Sequence, residues 1–421
     1  RVFINEDEAE FKALESKKEA RLRIIKQGDY YSPYYRYIQA EIHLHWALAR
    51  LKFEQNFIAA KEVRKAFTLL EENEAMFPTF VANKKSLGIM HALVGTIPDN
   101  YKFAAKILGM KGTIDQGLSE VRQVIRYGQK TDFLFQDETI VMYAFLLMYI
   151  GNQSEQGWKA VQNSGLDVQN NPLACFVMAN VMMNTGRTDK AIQILEQRPK
   201  GPSFHEFHYL EYMLGLAKLQ KMDRSADTHL LHYVHQFKGQ NYIKEAYQKL
   251  SWHAILFKDQ YSVDTFRALC INSGKAITDE DKKAQQEAEK NTQFHKGLLK
   301  ARLLFDGGYL AEAEQELNQY KIEDFGDLRA QIEFFYRKGR VYHEQKQYDK
   351  ALKNYQRTLE LGSDQPFYFA CNAALQTGLI YEDLNEGDNA RVMFKRCLSL
   401  KPEEYKNSLH QKAKSGLGRI K

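Results

Sequence analysis

The strongest constraint on this chain is an interval: Gly339 precedes Ala351 by twelve residues, and Gly378 precedes Ala390 by the same twelve. The two units are offset by 39 residues. Tyr342, Tyr348 and Tyr355 accompany the first pair, and Tyr381 and Phe394 the second, before Pro402 closes the unit. Small residues at this spacing belong where two antiparallel helices cross, and a helix pair that cannot bury its apolar face alone must stack on the next. The chain has 421 residues, too many for one small core, yet no Pro- or Ser-rich linker divides it. With only 8 prolines and abundant Ala, Leu, Lys, Glu and Gln, it has little material for strands and turns. The expected class is all-α.

The two units resemble the tetratricopeptide repeat, slightly longer than its usual period of about 34 residues because of the insertion LGSDQPFYF. A looser copy precedes them, with Ala301, Leu304, Tyr309, Ala313 and Leu317 around a turn at Gly307 and Gly308. Ala179 and Ala191 are again twelve apart around Gly186, and Gly215 marks another first helix. The resemblance implies helix-turn-helix repeats stacked into a right-handed superhelical solenoid that binds protein.

Toward the N-terminus the spacing disappears, and long amphipathic helices are expected over 35–54 and 59–76. The segment from Ile97 to Val121, with Pro98, Leu108, Gly109, Gly112 and Gly117, resembles the family of fungal inclusion-body-clearance proteins and their animal tetratricopeptide relatives. Exported bacterial tetratricopeptide proteins are about as similar overall. The polar stretch 273–293, with a capping box at Thr278 and Asp281, is expected to be a hinge or exposed helix. It divides a helical-repeat segment, 1–272, from a C-terminal repeat segment, 294–421, ending in a capping helix. The uncharged run from Thr139 to Ile150 has 12 residues, short of the roughly 20 that span a membrane, and reads as a buried helix.

Motifs for catalysis are missing: no GxxxxGK[ST], GxSxG, GxGxxG or DxDxDG occurs. Acidic runs such as Glu71 and Glu72, or Asp279, Glu280 and Asp281, read as solvated surface. His205, His208, His229, His232, His235 and His253 fall within 49 residues, but HEFH lacks the second histidine of HExxH, and three-residue steps make the series diverge around a helix. His43 and His45 lie on different helix faces. Cys175, Cys270, Cys371 and Cys397 form no CxxC pair and are expected as free thiols, although Cys371 and Cys397 fall in one predicted helix pair where a bridge remains open. Neither metal nor cofactor is expected.

In a tetratricopeptide array the first helix of each pair faces the groove. Inward positions are His295, Leu298, Arg302 and Phe305 in one repeat, and Glu333, Tyr336, Arg340 and His343 in the next. Arg302, Phe305, Tyr336, Arg340 and His343 would form a basic, aromatic stripe for an acidic or carboxylate-bearing peptide. Asn372, Leu375, Leu379 and Glu382 interrupt it in the third repeat. The paired Lys and Asn clamp of the chaperone-tail-binding subclass is absent.

The expected function is therefore a non-catalytic scaffold or adaptor holding a protein or peptide partner, within a larger cell-envelope assembly. The compartment is left open. The chain begins with Arg1 instead of Met, which leans toward export, although trimming would leave the same start. A metal-binding or catalytic protein using the histidine cluster is one alternative. Binding of nucleic acid or a membrane surface through the basic stretch Lys406 to Lys421 is another, but the net charge of +6 is modest for nucleic-acid binding.

Overall fold

The computed structural model describes residues 2–97 and 109–420. Pro98 and Leu108 of the inclusion-body-clearance resemblance lie outside the described residues. Among the described residues every regular element is a helix. No helix among them is long and apolar enough to cross a membrane. They form two compact units: residues up to Ala174 with Pro199–Tyr209 and Phe237–Gly239, and Cys175–Arg198 with Leu210–Gln236 and the chain from Gln240 onward.

The first unit contains α1 (Glu8–Lys26), α2 (Pro33–Lys52), α3 (Asn56–Met76), α4 (Asn83–Gly95), α5 (Ile114–Gly128), α6 (Gln136–Phe145) and α7 (Ser154–Val161). The expected helices at 35–54 and 59–76 are α2 and α3, which pack as a hairpin. Ser32 caps α2, accepting from the Tyr34 N–H at 3.3 Å, and Pro33 occupies the first turn, where no donor is needed. Tyr37, Ala40, Ala66, Phe67 and Leu70 fill the space between α2 and α3. In the α4–α5 hairpin, a Cβ on Gly117 would lie 2.3 Å from the carbonyl oxygen of Gly88, so these helices meet backbone to backbone. The run from Thr139 is helical and largely buried, but its end, Leu146–Ile150, widens into a π-helical turn with the Gly151 N–H bonding Leu146 O at 2.9 Å.

The second unit holds α8 (Pro172–Met183) from Cys175 onward, α9 (Thr188–Glu196), α10 (Tyr209–Gln220) from Leu210 onward, α11 (Ala226–Gln236), α12 (Ile243–Phe257), α13 (Gln260–Asn272), α14 (Asp279–Glu289), α15 (Lys296–Asp306), α16 (Leu310–Leu317), α17 (Leu328–Glu344), α18 (Tyr348–Gly362), α19 (Phe369–Asp383), α20 (Gly387–Ser399) and α21 (Lys406–Arg419). A Cβ on Gly339 would lie 2.6 Å from the ring of Tyr355, and one on Gly378 would lie 2.6 Å from the ring of Phe394. The aromatic ring thus occupies the volume that the missing side chain leaves. Ala179, Ala191, Ala301, Ala313, Ala351 and Ala390 are all at most 1% exposed, so the twelve-residue interval marks the same helix crossing in four hairpins.

The turns follow the same register. Seven residues after each packing position 179, 215, 301, 339 and 378, one residue takes a left-handed backbone: Gly186, Met222, Gly308, Lys346 and Asn385. The expected glycine turns at 186 and 308 also touch, since a Cβ on Gly308 would lie 2.4 Å from Gly186 O. Beside them Tyr309 donates to Asp189 at 2.9 Å, and Lys221 pairs with Asp189 at 2.8 Å.

Asp281 departs from the expected solvated surface. Thr278 caps α14 as the capping box predicts, accepting from the Asp281 N–H at 3.1 Å, but the Asp281 carboxylate is fully buried. It accepts from the Tyr242 N–H at 2.6 Å and the Glu245 N–H at 3.0 Å, and so caps α12 from another helix. Charge alone suggested water; two orphan amides at a helix start supply the alternative partner. At the other end, α21 buries Leu409 and Ala413 over α19 and α20, and Arg419 holds Glu382 with two hydrogen bonds, the Nη2 one at 2.7 Å.

Candidate functional site

α15, α17 and α19 are the first helices of consecutive hairpins, and each buries one side against its partner helix: Leu298, Ala301 and Leu304 on α15 with Ala313 and Leu317, Ile332 and Tyr342 on α17 with Ala351 and Tyr355, Cys371 and Ala374 on α19 with Ala390 and Phe394. Their other sides carry a cluster of guanidinium and aromatic groups. The guanidinium carbon of Arg340 lies 4.7 Å from the ring centre of Phe305, joining α17 to α15. Arg340 Nη1 donates to the Tyr336 hydroxyl at 3.0 Å, and Asn372 Nδ2 donates to the same oxygen at 2.6 Å. Tyr336 itself is 1% exposed, its ring packed with Ile332, Phe369 and Ala373. Only its hydroxyl serves the cluster.

Arg302 continues the cluster toward α12, its guanidinium carbon 4.5 Å from the Trp252 ring centre. The Trp252 indole donates to Glu287 of α14 at 2.8 Å, and Gln248 donates to the same carboxylate at 2.8 Å. Burial raises the Glu287 carboxyl above its ordinary range, against the opposing pull of Arg302. Arg302 keeps a 3.8 Å contact with Asp306 and a side chain 21% exposed.

Arg337 is committed differently. It binds Glu333 through Nε at 3.1 Å and Nη2 at 2.8 Å, both side chains being 6% exposed, and Arg329 approaches the same carboxylate at 3.7 Å. Against the cost of burial, these two guanidiniums hold Glu333 below the usual carboxylate range. Arg337 also reaches the Tyr368 hydroxyl at 3.4 Å, and Tyr368 packs on Tyr405 with ring centres 4.9 Å apart.

Arg340 has no such compensation. Its Nε is buried without a hydrogen-bond partner, and among the described residues no carboxylate pairs with it. A half-buried guanidinium stacked on an aromatic ring, with donors to spare, suits a carboxylate or another planar anion.

Of the five residues of the expected stripe, the structure brings Phe305, Arg340 and the Tyr336 hydroxyl together, and sets Arg302 beside Trp252. His343 turns toward its partner helix α18, its Nδ1 3.4 Å from the Tyr355 hydroxyl and its ring close to both Tyr348 and Tyr355. Burial, assisted by the Arg340 charge, pushes its imidazole down to about 4. Leu298 and Leu375 are core residues, His295 packs between Tyr320 and Phe325, and Glu382 is held by Arg419. The i to i+4 spacing of Glu333 and Arg337 could have announced their pairing. Nothing in the sequence marks Trp252, Glu287, Tyr368 or Tyr405, which approach from other helices.

The clustered histidines take separate partners. His229 Nδ1 lies 2.8 Å from Glu211, His253 Nε2 lies 2.8 Å from the Arg224 carbonyl, and His208 lies 3.3 Å from Glu206. Among the described residues no three His, Cys, Asp or Glu side chains converge as a metal site.

Comparison with known proteins matches residues 332–364 and 373–404 to the tetratricopeptide repeat family. No curated protein matches the chain. Among solved structures, the tetratricopeptide domain of P58(IPK) aligns over 97% of this chain and 96% of its own, at 13% identity and a TM-score of 0.24, a likeness too slight to carry an argument.

Proposed function

We propose that this tetratricopeptide-repeat protein is a non-catalytic scaffold that holds an acidic segment of a partner protein against the face shared by α15 and α17. Tetratricopeptide repeats are in general protein-interaction modules, and the two matched repeats contribute α17 through α20. The observation that carries the reading is Arg340: stacked on Phe305, tethered by Tyr336, and lacking a carboxylate. Arg302, exposed enough to exchange Asp306 for a ligand, supplies the second anchor. A neutral helix surface would need neither.

Titrating the full chain into a fluorescent Asp- and Glu-rich peptide, with an Asn- and Gln-substituted peptide as control, tests this. Each charge-assisted hydrogen bond contributes about 1.5–3 kcal/mol. Reversing both anchors (Arg302→Glu with Arg340→Glu) is therefore expected to weaken acidic-peptide binding by roughly 100-fold or more while helicity stays unchanged. Equal affinity of the parent and the double variant would refute the reading.

A further inference from the structure

α19 and α20 place two thiols side by side inside the last hairpin. Cys371 Sγ and Cys397 Sγ are 3.6 Å apart, 1% and 0% exposed, and both are free. Their surroundings are the apolar residues Ala374, Leu375, Ala390, Phe394, Leu409 and Ala413. The other two cysteines are solitary, Cys175 donating to the Ile194 carbonyl at 3.7 Å and Cys270 to the Lys244 carbonyl at 3.3 Å. A disulfide needs its sulfurs about 2.05 Å apart, so this pair must close by about 1.5 Å, within reach of a side-chain rotation with a small helix shift.

We infer that Cys371 and Cys397 are a redox modification site, converted to an intrachain disulfide by exchange with a low-molecular-weight disulfide. The exchange can begin at either sulfur, both being buried and 3.6 Å apart, and from Cys371 it proceeds through a mixed disulfide. The Cys371 thiolate bonds to one sulfur of the small disulfide, whose own S–S bond breaks, and the departing thiolate takes up the proton that Cys371 gave up. Cys397, deprotonated in turn, attacks Cys371 Sγ in the mixed disulfide. The second small thiol leaves with the remaining proton. Two protein thiols are oxidised and one small disulfide is reduced to two thiols, a balanced two-electron exchange.

Access runs past α21. The Leu409 carbonyl lies 3.9 Å from Cys397 Sγ, so local release of this terminal helix opens the pair. The bridge would also reach the face proposed above to hold an acidic segment, because Asn372, the neighbour of Cys371, donates to the hydroxyl that tethers Arg340.

The test is equilibration of the full-length chain with glutathione over rising oxidised-to-reduced ratios, in urea below the unfolding transition so that α21 opens freely. It starts from both the reduced chain and a chain preoxidised with diamide. Free thiols are then blocked and the chain digested for mass spectrometry. The expected result is convergence on one peptide pair linked through Cys371 and Cys397, with free thiols falling from four to two along a two-electron dependence on the ratio. Convergence on four free thiols at the most oxidising ratio, on another pairing, or on stable glutathione adducts of single cysteines would overturn the inference.

Discussion

The ring of Phe394 occupies the place of a side chain on Gly378: a Cβ there would fall 2.6 Å from two of its ring carbons. The residue is glycine because its partner helix already fills that volume. Gly378→Ala must displace a fully buried ring and is expected to destabilise the protein by about 1–3 kcal/mol in urea unfolding. Gly326→Ala, where a Cβ meets nothing within 4 Å, is the control and should change little.

Lys346 presents the opposite case. It has a left-handed backbone at φ 59, in the same place in its hairpin that Gly308 occupies in another. Removing the Cβ relieves the clash inherent in that conformation, partly offset by the entropy of a freer unfolded chain. Lys346→Gly should stabilise the protein by about 0.5–1 kcal/mol, read as a higher urea midpoint with unchanged slope.

Glu333 and Arg337 are a buried ion pair, and either one alone would be a stranded charge. Glu333→Gln is expected to cost about 3–5 kcal/mol, whereas Glu333→Leu combined with Arg337→Met should restore most of that loss. A double-mutant cycle by chemical denaturation gives the coupling.

Asp281 and Asp279 lie two residues apart on α14 but in different environments. Removing the Asp281 carboxylate leaves the Tyr242 and Glu245 amides without their partner, so Asp281→Ala should cost about 2–3 kcal/mol. Asp279→Ala, at an exposed position, should cost almost nothing by the same measurement.

His343 predicts a pH dependence. Its folded value of about 4 lies below the ordinary 6.5, so the unfolded chain binds the proton first. Stability is then constant above pH 6.5 and falls as pH drops from 6.5 to 4, with no further loss below. Allowing for partial screening by solvent, the loss is about 1–2 kcal/mol. Unfolding at pH 7, 5.5 and 4.5 should show this slope in the parent and a flatter one in His343→Gln.

The sequence shows the hairpins because a helix crossing needs small residues at one interval, and Gly339, Ala351, Gly378 and Ala390 satisfy that locally. Arg302 and Arg340 could be put forward as candidates because both fall at the counted groove positions of first helices. Tyr336 and His343 share that face by count, but their surroundings turned the ring of one inward and the imidazole of the other toward Tyr355. Such outcomes depend on which neighbour offers a better contact, and spacing along one helix does not contain it. Asp281 illustrates the same limit: its partners are amides 36 and 39 positions away in the chain.

The contact between the Gly186 and Gly308 turns has a consequence for how the second unit comes apart. An array whose members touch only their neighbours melts from its ends, each hairpin leaving at its own denaturant concentration. Here the backbone of an early hairpin rests on one that follows more than a hundred residues later, so neither end of that span can leave while the contact holds. Amide protons of α8 and α15 should therefore exchange with a common opening energy, and a methyl group placed on Gly308 should split it into two.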